Sequence, residues 1–284
     1  MDPSAAPRYD RIVSLVLVVV LGLAVIVLID TNPNILRARL GGDLPTITVS
    51  WLLIATLVVI TSAGADLLAR SHPQLQTRTL PTLNLGFMKL ELAPAFWILP
   101  SFSLIGSFAF FRLFSFSLEG LAFALSLVAA GGLLLGVLLA QHYALDRDPP
   151  RAQLARLALQ IVAYLLAFSC FSAVYFTRFR TLYAATLIGL TGMLLAYAVL
   201  QWQPRHNGLL IEFLVGFLLG EATWALNYWS ATFLLAGAIL TVLFYCAVGL
   251  LQQLLSGGVT QRLWWEYGLI GGALVLAIVT ATFL

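Results

Sequence analysis

Asn207 to Trp229 reads NGLLIEFLVGFLLGEATWALNYW. About 20 apolar residues suffice for one helix to cross a bilayer, and this stretch is long enough. It nevertheless carries two glutamates, Glu212 and Glu221. A carboxylate at bilayer depth costs roughly 2.5 kcal/mol or more unless it is paired or protonated. At about 100° per residue, Glu212, Gly216, Gly220, Thr223 and Asn227 fall on one narrow stripe, while Glu221, Trp224 and Tyr228 fall opposite. With a carboxylate on each side, the helix is expected to be enclosed by protein.

The rest of the chain has the same character. It has 284 residues, of which 61% are hydrophobic and only 10% charged. Its mean hydropathy is +0.98. Soluble domains are about 25% charged, so a water-soluble globule is excluded. The formal net charge of +3 comes from Lys and Arg at segment ends. There is no basic patch, so no nucleic-acid partner is expected. Cys170 and Cys246 lie inside apolar spans and read as packing residues.

Nine apolar runs of helix-spanning length follow one another, at about 12–30, 47–65, 93–112, 120–141, 153–176, 181–202, 207–229, 231–252 and 266–284. Backbone groups cannot go unpaired in lipid. Runs of this length without alternation must therefore be helices and not barrel strands. The predicted fold is all-α, a polytopic transmembrane helix bundle forming a single integral membrane domain over 1–284. The first run lacks a small-residue cleavage site and is expected to be a retained span. Ten Lys and Arg fall on the side of the N-terminus and five on the other, which predicts a cytoplasmic N-terminus. A short interfacial helix is expected within 31–45. Pro94 and Pro100 are expected to break or kink the start of the third span.

Two stretches, ADLLARSHP (65–73) and EATWALNYW (221–229), resemble segments of an uncharacterised family of bacterial multi-pass membrane proteins. The resemblance implies a bacterial inner-membrane protein of unknown function. It brings no catalytic or binding residue with it.

Candidate functional residues are few. Glu221, about 20 Å along its helix from the inner end, is read as a proton- or cation-handling carboxylate or as the partner of an outer arginine such as Arg178, Arg180 or Arg112. Glu212 sits near the start of the same helix, where the macrodipole favours an acid. Arg178 and Arg180 close a short hairpin and are read as a snorkelling pair or as an anion-holding pair. Gly216 with Gly220, and Gly132 with Gly136, fit the small-xxx-small pattern of close helix contacts; Gly189 with Gly192 is a weaker version. His72, His142 and His206 fall at the cytoplasmic boundary, which argues against haem. With Asp146, Asp148 and Glu212 they are weighed as a metal set, but the spacing carries no ligand motif, and no metal or cofactor is expected.

The motifs of zinc peptidases, phosphate loops and serine hydrolases do not occur in the sequence. The residues therefore weigh against an enzyme. They favour a non-catalytic integral subunit or scaffold of a larger bacterial membrane assembly, in contact with lipids and other membrane subunits. Two alternatives stay open. One is a transporter or lipid-handling protein using Glu221. The other is a membrane enzyme whose His142, His206, Asp146 and Asp148 converge.

Overall fold

A computed structural model of the chain describes residues 7–30, 37–38, 47–76, 82–84, 89–91, 95–114, 120–146, 148–203, 209–229 and 232–256, with isolated residues beyond 256. Eight long helices dominate: α1 (Tyr9–Asp30), α2 (Val49–Arg70), α4 (Ala95–Leu113), α5 (Leu121–Ala144), α6 (Pro149–Phe176), α7 (Thr181–Leu200), α8 (Leu210–Asn227) and α9 (Phe233–Ser256). Each is long and apolar enough to cross a membrane. They coincide with the first eight predicted spans to within a few residues. The ninth, at 266–284, lies largely outside the described residues, as does His206.

The connections hold one further helical turn, α3 (Pro73–Gln76), and two short antiparallel pairs. In the first, β1 (Arg37–Ala38) pairs with β2 (Ile47–Thr48). In the second, β3 (Thr82–Asn84) pairs with β4 (Lys89–Glu91). The described residues of the 31–45 connection are thus extended where a short helix was expected. β-branched Ile47 and Thr48 suit a strand better than a helix.

The chain divides into two units, Met1–Ser169 and Cys170–Leu284, with the boundary inside α6. In the first unit α1, α2, α4 and α5 pack around Val19, Leu23, Leu57, Leu104, Phe108 and Leu134. Of the break or kink expected at the start of this span, no break occurs at Pro100, which α4 runs through, and Pro94 lies outside the described residues. Proline has no N–H, so the carbonyl four residues earlier, Phe96, loses its helical donor. Gln141 of α5 makes good the loss: its Nε2 donates to the Phe96 carbonyl at 3.3 Å from a buried position.

In the second unit α7 and α8 make the most extensive contact. It is a backbone contact. A Cβ built on Gly216 would lie 2.5 Å from the Gly189 carbonyl oxygen, and one on Gly189 would lie 2.9 Å from that of Gly216. Gly220 stands in ordinary contact with the Ala185 carbonyl, at 3.5 Å. The pair Gly132 and Gly136 behaves otherwise, and among the described residues of this chain it makes no close helix contact. Both are exposed on α5, and nothing lies within 4 Å of either position. The neighbouring Gly131 is the buried one and meets Val20 of α1. One residue rotates a helical position by about 100°, so the contact face of α5 passes through Gly131.

Two outcomes follow. Gly216→Val is expected to lower the melting temperature sharply, because the clash is with backbone, while Gly132→Val leaves it within the scatter of surface substitutions; thermal unfolding in detergent compares the two. Gln141→Leu should cost about 1–3 kcal/mol by orphaning the Phe96 carbonyl. In a Pro100→Ala background the restored backbone N–H should remove most of that cost, so a double-mutant cycle reads the coupling directly.

Candidate functional site

The polar groups of the first unit gather where α1 and α4 begin and where α2 and α5 end. Asp66 and Arg70 are one helical turn apart on α2, acid before base, the favourable order for such a pair. The Asp66 Oδ2 to Arg70 Nη2 distance is 2.5 Å. The other oxygen of Asp66, Oδ1, accepts from the indole N–H of Trp97 on α4 at 3.0 Å. Asp66 is only 7% exposed. A buried carboxylate is tolerated at this depth because a cation and a donor meet it.

Two residues beyond Arg70 stands His72, 6% exposed. Its Nδ1 accepts the backbone N–H of Gln74 at 3.3 Å, the service a capping side chain gives the first turn of α3. That bond assigns the imidazole proton to Nε2. The ring meets His142 of α5 edge to face, with centroids 4.8 Å apart and planes at 75°. Burial, more than the neighbouring His142, pushes the His72 pKa down, and Asp146 works in the opposite direction. One residue on from His142, the Tyr143 hydroxyl shares a 3.1 Å hydrogen bond with that of Tyr9 at the start of α1. Arg156 of α6 donates to the Ala144 carbonyl at 3.3 Å.

Between these groups lies a partly open cavity. Its polar lining is Arg8, Ser71, His72, Gln141 and His142, and its apolar walls include Ile12, Leu68, Phe96 and Leu138. Among the described residues the lining holds donors and one fixed cation, Arg8, and no carboxylate.

The predicted site residues lie elsewhere. Glu212 is fully buried on α8, at 0% exposure, within electrostatic range of Tyr197 on α7. Glu221 is exposed. Its face of α8 also carries exposed Phe213, Leu214, Phe217, Leu218 and Trp224. The expectation that α8 is enclosed on every side therefore fails within this chain. One stripe (Glu212, Val215, Gly216, Leu219, Thr223, Leu226) is buried and the opposite one is open. Arg178 and Arg180 are exposed in the α6–α7 connection. Arg178 takes a positive φ of 49°, the left-handed conformation that ends helices and that glycine usually supplies. Arg112 stands over the Trp51 ring, 5.9 Å from its centroid.

His142 and Asp146 do come together with His72, whereas Asp148 turns to Arg151 at 3.2 Å. Among the described residues no group of three or more His, Cys, Asp or Glu could hold a metal ion. The residues missed from sequence are Asp66, Arg70, Trp97 and Gln141. The signal was an acid and a base at i and i+4 at the end of an apolar run, and a glutamine inside one.

Residues 31–281 match the family described as protein of unknown function, DUF5656. The chain belongs to that family. Neither a curated protein nor a solved structure matches it. Both quoted stretches, 65–73 and 221–229, fall inside the DUF5656 match. The first supplies Asp66, Arg70, Ser71 and His72 to the polar cluster; the second supplies the C-terminal part of α8.

Because folding lowers the His72 pKa, the unfolded chain takes up a proton near pH 6.5 that the folded chain resists. The neutral, buried imidazole thus contributes stability above about pH 6.5 that is lost as pH falls through the folded value. Melting temperature should drop between about pH 7.5 and pH 5. His72→Asn, which keeps an acceptor for Gln74 but cannot titrate, should flatten that dependence.

Proposed function

We propose that this multi-pass membrane protein is a non-catalytic integral subunit of a larger assembly in the bacterial inner membrane, with its N-terminus in the cytoplasm. The observation that carries the reading is the exposed Glu221. It lies six residues before the end of α8, about 9 Å inside the helix, on an otherwise apolar face. Its neighbours at one turn are Phe217, Leu218, Trp224 and Ala225, so the helix itself offers no cation there, and the Trp224 indole N–H is the one side-chain donor among them. Contrast Asp66, which has Arg70 one turn on and Trp97 across from it. A bare carboxylate against acyl chains carries the cost that makes such residues rare on lipid-facing surfaces. The occupant that removes the cost is a transmembrane helix of another subunit presenting an arginine, lysine or hydrogen-bond donor to Glu221. The flanking aromatic and leucine side chains supply the packing surface such a helix needs.

The transporter alternative asks Glu221 to face a polar cavity, and an exposed helix face supports it less. The enzyme alternative gains the meeting of His72, His142 and Asp146 but has lost Asp148 to Arg151.

The test is extraction from native membranes in mild detergent, followed by mass measurement of the particle. The full chain is expected in a complex of fixed composition, and Glu221→Ala should release it at lower detergent concentration without lowering its own melting temperature. A lone monomer under every condition, or a complex indifferent to Glu221, would overturn the reading.

A further inference from the structure

The cavity at the ends of α2 and α5 joins three properties. Its polar lining converges from α5 and from the segments that flank α1 and α2: Arg8 just before α1, Ser71 and His72 after α2, Gln141 and His142 from α5. That lining can donate hydrogen bonds and positive charge. Its walls are apolar, with Ile12, Leu68, Phe96 and Leu138 running down toward the helix interior. It opens at the level where spanning helices end, which is where headgroups lie. Basic pockets between transmembrane helices at this level are suited to anionic lipid headgroups. We propose that Arg8, Ser71, His72 and His142 form a binding site for a phosphate group, presented by an anionic phospholipid of the leaflet on the N-terminal side.

The geometry limits how the ligand sits. The enclosed interior is about 20 Å3, enough for one water or one phosphate oxygen. The phosphate therefore seats at the mouth, with an oxygen directed inward and the acyl chains outside the cavity, against the lipid-facing helix surfaces. Arg8, which is exposed, supplies the fixed charge. The His72 Nε2–H and the His142 ring supply donors, and the Ser71 hydroxyl, which donates to the Leu68 carbonyl at 2.6 Å, can turn to the ligand. Asp66 and Arg70 neutralise one another beside the site, so that pair adds no net charge. Asp146 acts electrostatically on His72, and its charge opposes an anion.

The experiment places the full chain in nanodiscs of phosphatidylcholine alone or with phosphatidylglycerol, reading melting temperature and lipids retained in native mass spectrometry. Phosphatidylglycerol should be retained and should raise the melting temperature; phosphatidylcholine should not. Arg8→Gln should weaken retention about fivefold and Arg8→Gln with His142→Gln further. Arg11→Gln is the control, since it removes an equal exposed charge one turn away that does not line the cavity. Inorganic phosphate is tested in phosphatidylcholine discs. Stabilisation by phosphate alone, lost in Arg8→Gln, supports the site and assigns free phosphate as the source. Equal losses in Arg8→Gln and Arg11→Gln, equal retention of both lipids, or no effect of either phosphate source would overturn the proposal.

Discussion

A bilayer offers no hydrogen bonds, so a polar group taken into it must meet its partner within protein. The clearest instance here is a carbonyl. Pro100 removes the donor that Phe96 would have had, four residues back in α4, and Gln141 reaches across from α5 to replace it. The proline is tolerated because the glutamine is there, and the buried glutamine is tolerated because the carbonyl is. This exchange fixes α5 against the start of α4 and sets His142, the next residue, at the rim of the cavity. Asp66 repeats the logic with a charge: the Arg70 guanidinium and the Trp97 indole between them meet a buried carboxylate.

The second unit is held by a different means. Lipid tails are as apolar as leucine side chains, so apolar area drives little helix association in a membrane, and close approach of backbones does more. Gly189 and Gly216 put two carbonyls where side chains would stand. The same packing rule leaves α5 open at Gly132 and Gly136, since spacing alone does not say which way a glycine pair faces.

The helices were legible because the bilayer imposes a length and a composition together, and eight of the predicted spans return as described helices. The connections were less legible: a two-residue strand has no periodicity to read, and β1 takes its conformation from β2. The site was legible only in part. Histidines at the boundary could be listed, but the pairing of His72 with His142 depends on packing between residues seventy positions apart. Asp66 and Arg70 were visible as an i, i+4 pair. Gln141 was not recognisable as a partner, because its need arises from a proline on another helix.

The two glutamates of α8 show where the reading of a sequence stops. Both sit in one apolar run and carry the same intrinsic cost, and their spacing of nine residues puts them on opposite faces. That much demanded partners on both sides. It could not say whether each partner belongs to this chain. Glu212 turns inward among α7 and α8 side chains, with Tyr197 in range, and so takes part in the folding of its own unit. Glu221 turns outward. On the reading proposed above, a carboxylate whose cost is met by assembly makes the isolated chain the less favourable state and ties its stability in the membrane to the presence of a neighbour.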